Sequence, residues 1–361
     1  MPTNAETITG RLRKVIEECG DISLEHFWRE AMTSPDKGYY TSGTPIGVDG
    51  DFITAPEISQ IFGELIGLWL ADNWIRAGSP KTFDLVEIGP GRGQLMADAL
   101  RATKSMSGFQ AAGNLFLVEK SKAFRSMQAK KLSTYSPTWL DSWQQLPEEG
   151  QPLFLIANEF LDALPICQFE FAKNTWMERR IVWSEGGFGF KPARTITPAA
   201  SDNFQNPPEG AVLEVSEERD ALILAISKRI AKNGGIALFI DYGYGAAKLG
   251  DSFQALANGK PVNPLDNPGS ADLTSHVNFF SVVSQARAAG AEAFGPVDQG
   301  VFLLRLGAEI RATQLASKAT PEKTAIINQG LKRLVHPLQM GSLFKVVAIS
   351  PNGSPTPAGF D

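Results

Sequence analysis

One stretch limits what this chain can become: Thr82–Gly93, reading TFDLVEIGPGRG. Phe83-Asp84-Leu85-Val86 is a short β-forming run, Gly89-Pro90-Gly91-Arg92-Gly93 interrupts it, and Gln94 to Arg101 is rich in helix formers. A buried strand, a tight glycine turn and a helix start, in that order, make the opening βα unit of a nucleotide-binding fold. Glycine lets the backbone approach a ligand closely, and the N–H groups at a helix start favour an electron-rich partner. Spacing then decides the ligand. A dinucleotide fingerprint needs G-x-G-x-x-G, but from Gly89 the third glycine would fall on Gln94, and from Gly91 on Met96. A P-loop needs Gly-Lys-Ser/Thr after the turn, and none is present. What remains is an acid, Glu87, followed by Gly-x-Gly-x-Gly at a strand end.

That pattern resembles motif I of class I S-adenosylmethionine-dependent methyltransferases; a plain glycine-rich βα turn is the alternative. Later strands add polar groups in matching places. Asn114–Glu119 is a second buried strand, and an acid at its end accepts hydrogen bonds from ribose hydroxyls in nucleotide-binding α/β folds. Trp139–Trp143 offers a ring or an acceptor, Asp141, for an adenine. Pro152–Ala157 is a third apolar strand, followed by Asn158-Glu159-Phe160-Leu161-Asp162. Ligand crevices in open α/β sheets lie at the carboxyl ends of strands, so Glu159 and Asp162 are expected to project into the site. A carboxylate there orients an amino or guanidino nucleophile and offsets its positive charge. Methyl transfer needs mainly alignment, so positioning supplies much of the rate.

The rest of the chain reads as an α/β fold with additions. Amphipathic helices are expected over 5–18 and 22–32, the second capped by Ser23. An irregular loop follows over 43–57, carrying aromatics, hydroxyls and carboxylates, and long ordered loops often serve function. An apolar helix is expected over 58–77, another over 121–132, and a β-hairpin or meander inserted over 168–208 with its later part, 192–208, a loop. Beyond it come a helix over 216–232, a core strand over 234–245, a flap or loop over 246–269, and a helix ending near Ala288. Strands over 292–306, a helix over 322–335 and a closing strand over 344–349 complete the reading. Residues 1–80 form a helical and substrate-loop region, and 81–361 a Rossmann-like domain with helices on both sheet faces and the β-rich insertion.

Composition narrows the partners. At 361 residues, 43% hydrophobic and 20% charged, the chain has ample material for a large core. Net charge is −5 with no dense basic block, so no nucleic-acid partner is expected. Cys19 and Cys167 are far apart and His26, His276 and His336 scattered, so no metal site is expected. No run approaches the roughly 18 apolar residues of a membrane span, so no membrane insertion is expected. No signal or transit segment is evident at the N-terminus, which points to a cytoplasmic protein.

Taken in order, the motifs resemble one family, the MidA-type methyltransferases, formerly a domain of unknown function, which include a mitochondrial complex I assembly factor. The matching stretches are Gly38-Tyr39-Tyr40, the block 50–64 (GDFITAPEISQIFGE), the glycine motif 87–93, Asn158–Pro165, Asp241-Tyr242-Gly243, Asp272–Val277 and Met340–Lys345. The resemblance implies a class I methyltransferase fold, S-adenosylmethionine as cofactor and a protein arginine as acceptor, on a peripheral-arm subunit of respiratory complex I. It implies cofactor contacts from Glu87, Gly89, Gly91, Gly93, Glu119, Asp141 and Asn158, and catalytic carboxylates at Glu159 and Asp162. Tyr39, Tyr40, Asp51, Phe52, Thr54, Glu57 and His276 would bind the acceptor, and a homodimer is one assembly it allows. The chain departs from the family after Gly243, where Gly245–Asp251 replaces a Gly-Thr-Leu-Arg-like segment, which bears on substrate identity. Two other functions fit the same residues: a non-catalytic assembly factor that keeps the fold, and a small-molecule methyltransferase.

Overall fold

The structure is a computed structural model that describes residues 7–35, 37–41, 54–147 and 150–361. Two compact units divide the chain. One comprises Ile53–Leu161, Ala221–Ala246 and Val277–Asp361; the other comprises Met1–Phe52, Asp162–Asp220 and Ala247–His276.

The first unit is built on a sheet of β1 (Phe83–Ile88), β2 (Gly113–Val118), β3 (Thr138–Leu140), β4 (Leu153–Asn158), β5 (Gly235–Tyr244), β6 (Ala291–Asp298) and β7 (Phe344–Pro351). Their spatial order is β3-β2-β1-β4-β5-β7-β6, with Val277–Asn278 added beside the end of β5. β1 to β5 run parallel, and β7 runs antiparallel to both β5 and β6. Every residue of β1 and β4 is buried, which explains their unbroken apolar runs: both faces of a parallel sheet are covered. The expected class I α/β fold is therefore observed. Strand order reverses between β1 and β4, and ligands of such sheets bind at that switch point.

Four helices of this unit matter below: α1 (Ala55–Ile58), α2 (Gln60–Arg76), α3 (Gln94–Ala102) and α4 (Lys122–Lys131). Ile61, Phe62, Ile66, Trp69 and Leu70 of α2 join Leu85, Leu117, Ile156 and Leu238 of the sheet in one apolar core. A Cβ on Gly67 would stand 2.5 Å from the Cα of Ala99, so only glycine lets α2 and α3 approach this closely. Thus α2, the apolar helix expected over 58–77, packs on the sheet.

The second unit pairs two helices, Ile8–Cys19 and Leu24–Thr33, with an antiparallel sheet. Ser23 caps the second helix as expected, accepting the His26 N–H at 3.1 Å. The sheet runs Ile22–Ser23, Thr175–Ser184, Cys167–Ala172 and Val212–Val215, with Gly187–Thr195 on Thr175–Ser184, so the β-rich insertion is present. Leu12, Phe27, Trp28, Ile181, Phe253 and Leu273 form its core.

Some expectations fail for identifiable reasons. The supposed flap over 246–269 contributes Gln254–Ala257 and Lys260–Val262 to a three-stranded sheet with Asp272–Thr274. Phe253, Ala255 and Leu265 are buried there, but strands this short carry no readable period. Strands expected over 292–306 hold only to Asp298; Gln299–Arg305 is a helix, because a short apolar run such as Val301–Leu304 does not itself distinguish helix from strand. Helix Ala308–Ala316 was not expected at all.

Candidate active site

The three glycines of the turn are left-handed. Gly89, Gly91 and Gly93 have φ of 68°, 49° and 73°, a region that costs side-chain-bearing residues about 1–2 kcal/mol each. Gly89 N–H donates to Val118 O at 3.1 Å, tying the turn to the end of β2, and Gly93 leads directly into α3.

Around the turn, strand register gathers the polar groups on one face. Glu87 is level with Leu117 of β2 and Ile156 of β4, and the next residues on that face are Glu119 and Asn158. Below them the same face is apolar, so these three sit where the core meets the crevice. Burial, with Glu119 adding repulsion, pushes the Glu87 carboxyl up to about 8. Burial also lifts Glu119 to about 7, against hydrogen bonds from the Ser121 N–H (2.7 Å) and the Gln128 amide (3.4 Å). Oε2 of Glu87 and Oδ1 of Asn158 are buried with no hydrogen-bond partner among the described residues. Buried acceptors are rarely left unsatisfied, and two on adjacent strand ends mark a place for a donor that belongs to a ligand. The ammonium and ribose hydroxyls of S-adenosylmethionine are such donors, so these residues fit that cofactor.

At the end of β4, Glu159 is a non-glycine residue with φ of 50°. Such strain costs on the order of 1–3 kcal/mol and collects at functional sites. It is held by the Glu159 N–H to Ile240 O (2.9 Å) and by Oε1, which accepts the Ala55 N–H of α1 (2.9 Å) and the Asn158 amide (3.1 Å). The following Phe160 N–H donates to the buried Asp241 at 3.1 Å. Beside it, Glu57 of α1 forms an ion pair with Arg92 of the glycine turn at 3.4 Å.

The structure thus brings together Glu87, Gly89, Gly91, Gly93, Glu119, Asn158, Glu159 and Glu57, with Thr54 as the residue that starts α1. Asp141 stands at the rim, largely exposed, paired to Arg125 at 2.7 Å. Asp51 and Phe52 lie outside the described residues. Asp162, Tyr39, Tyr40 and His276 belong to the other unit. There the Tyr40 hydroxyl donates to Asp272 at 2.8 Å, and burial, then Asp272 and Asp162, hold its pKa well above the ordinary value. The imidazole of His276 is held below its ordinary value by burial and Lys248, and the backbone N–H of His276 donates to the Ser252 hydroxyl at 2.9 Å. Asp162 is buried, and its carbonyl accepts the Ser275 N–H at 3.1 Å. Sequence reading missed Gln128, Arg125 and the Arg92–Glu57 pair. Nothing local in the sequence marks Gln128, whose partners Gly91 and Glu119 lie 37 and 9 positions away.

A seven-stranded order of this kind, a left-handed glycine turn and acids at the next two strand ends define a class I methyltransferase. Comparisons agree. The chain belongs to the Methyltransf_28 family of S-adenosyl-L-methionine-dependent methyltransferases, whose model matches residues 65–297. It is similar to the protein arginine methyltransferase NDUFAF7 homolog, mitochondrial, of Drosophila melanogaster, at 37% identity over 96% of this chain and 85% of that protein. The human protein arginine methyltransferase NDUFAF7, mitochondrial, is 32% identical over 93% of this chain and 82% of its own length. Among solved structures, a COG1565 superfamily member from Burkholderia thailandensis bound to S-adenosyl-homocysteine superposes with a TM-score of 0.84 at 25% identity, over 99% of this chain and 94% of that one. The cofactor is S-adenosylmethionine. The curated relatives are named as mitochondrial proteins, which overturns the expectation of a cytoplasmic location: residues near an N-terminus did not decide it.

Proposed function

We propose that this methyltransferase acts on arginine side chains of a protein acceptor, a subunit of the peripheral arm of respiratory complex I being the candidate that the family resemblance suggests. The relatives named protein arginine methyltransferases support the reading. The observation that carries it is Glu159: a carboxylate held in strained backbone at the carboxyl end of β4, next to the glycine turn. A guanidinium stays protonated in proteins and presents a planar fork of donors, so a fixed carboxylate is the group that orients it.

When bound, S-adenosylmethionine supplies a methyl group on a sulfonium. The residues of the chain do the remainder. Glu87 and Asn158 offer acceptors to its ammonium end, Glu119 to its ribose, and the glycine turn leaves its backbone open to close approach. Glu159 holds the acceptor nitrogen in line, offsets its positive charge and takes up the proton that the guanidinium gives up as the methyl group arrives. Alignment of this kind accounts for several kcal/mol of a transfer barrier, about 7 at the low end of measured cases.

Calorimetric titration with S-adenosylmethionine comes first, on wild type and on Gly91→Arg; saturable binding lost in the variant is the expected outcome. Arginine-containing peptides and cell extract are then assayed for methylarginine by mass spectrometry. Glu159→Gln should lower turnover by about 100-fold or more, as loss of a transition-state contact does, with cofactor affinity nearly unchanged. Turnover at the wild-type level would remove Glu159 from the mechanism.

A further inference from the structure

We propose that Gln128 is a positioning residue of the cofactor site, whose side-chain amide fixes the Glu119 carboxylate and the glycine turn together and so sets recognition of the cofactor's ribose diol. This rests on Glu119 being the ribose acceptor.

Gln128 is the single buried residue of α4, and it is fully buried. Leucine or methionine would fill the space at less cost, since a buried amide is unfavourable unless its hydrogen bonds are made. Here they are made. Nε2 donates to Gly91 O at 2.7 Å and to Glu119 Oε2 at 3.4 Å, while Oε1 accepts the indole N–H of Trp139 at 2.8 Å. The direction of the amide is not arbitrary. Indole nitrogen only donates, and a carbonyl or ionised carboxylate only accepts, so oxygen must face Trp139 and nitrogen must face Gly91 and Glu119. No other uncharged side chain of this length gives two donors on one side and an acceptor on the other.

Gln128 also backs the turn sterically, because a Cβ on Gly93 would lie 3.2 Å from its Cγ. Glu119 is gripped at both oxygens, by the Ser121 N–H on Oε1 and by Gln128 on Oε2. A carboxylate held in this way presents a fixed plane to a pair of vicinal hydroxyls. Without Gln128 it is free to turn about its last bond, and the acceptor is present but poorly aimed.

The test is a functional-group cycle on the whole protein, read by calorimetry. S-adenosylhomocysteine and its 2′-deoxyribose analogue are titrated into wild type, Glu119→Gln and Gln128→Met. In wild type, loss of the 2′-hydroxyl should weaken binding by about 10- to 100-fold, the effect of one hydrogen bond to a charged group. In Gln128→Met the parent affinity should fall and the deoxy penalty shrink to about threefold or less, because a misaimed carboxylate no longer discriminates. A full penalty retained in Gln128→Met overturns the proposal, whatever the parent affinity does, since a merely structural loss would weaken both ligands alike. Glu119→Gln separates the two readings. If it keeps the penalty, the ribose role of Glu119 fails, and this proposal with it; if it loses the penalty while Gln128→Met keeps it, only the role of Gln128 falls. Should Gln128→Met not fold, Trp139→Phe removes just the donor that orients the amide. The penalty then narrows if amide direction matters and stays at the wild-type value if it does not.

Discussion

The cofactor cradle and the polar cluster around Tyr40 are both concentrations of polar side chains against apolar packing, yet they are finished differently. In the cradle, two buried acceptors have no partner among the described residues, and two acids are lifted to about 8 and about 7. Around Tyr40 most of the groups close on each other, the buried Thr274 hydroxyl being an exception among the described residues. Tyr40 bonds Asp272, Arg219 bonds Ser275 and the His276 carbonyl, the His276 N–H reaches Ser252, and Ser252 donates to Glu214. Polar groups that satisfy one another specify architecture, whereas polar groups held unsatisfied at a strand end await a ligand. Residue type alone could not tell these apart: Tyr40 and His276 were as eligible as site residues in the sequence as Glu87 and Glu119.

Four experiments would break or sharpen this contrast. The largest effect is expected from Glu87→Gln, which should weaken S-adenosylmethionine binding by about 10- to 100-fold, the range for hydrogen bonds to charged groups. Thermal stability should stay level or rise, because the folded protein already favours the neutral form of this acid. An unchanged dissociation constant would mean that Glu87 is architecture after all.

Next is pH. Both acids are raised in the folded state, so the folded protein holds protons that the unfolded chain releases above about 4.5. Stability of the ligand-free protein should therefore be fullest below that value and decline as pH rises toward about 8. Affinity for the cationic cofactor should run the opposite way, strengthening as pH rises through about 7 and then about 8, with proton release seen by calorimetry in buffers of different ionisation enthalpy. Glu87→Gln should erase the upper step. A flat affinity profile would remove the acids from contact with the ligand's charge.

Tyr40→Phe tests the other region. Losing the 2.8 Å bond to Asp272 should cost about 1–2 kcal/mol in denaturant unfolding and leave cofactor affinity within about twofold. A large fall in affinity would erase the distinction drawn here. The smallest effect belongs to Glu57→Gln: a half-exposed ion pair at 3.4 Å is worth under about 1 kcal/mol, so stability should hardly move. A rise of a few-fold in acceptor KM at constant cofactor affinity would place α1 on the acceptor side of the site.

Much of the fold could be read because parallel strands buried on both faces write themselves as unbroken apolar runs, as β1, β2, β4 and β5 do. The place of the candidate site was readable for a related reason: Glu87, Glu119 and Glu159 are polar residues at the ends of those runs, a purely local signal. What escaped was set by contacts distant in sequence. Gln128 reaches Gly91 across 37 positions, and Tyr40 reaches Asp272 across 232. Neither partnership leaves a mark on a periodicity. The three-stranded sheet of 254–274 escaped because strands of three or four residues have no period to show. The acceptor side is the least legible part: Tyr40 bonds Asp272, and Asp51 and Phe52 lie outside the described residues.

β7 lies in the interior of its sheet, pairing with β5 on one side and β6 on the other, although it is made from residues 344–351. During synthesis β5 therefore exposes an unpaired hydrophobic edge from the time residue 244 emerges until another hundred residues have followed. An exposed edge of that kind is a template for pairing with other chains. This protein should depend on a chaperone or on dilute conditions while it is being made, and chains broken off before residue 344 should aggregate instead of accumulating as a smaller folded enzyme.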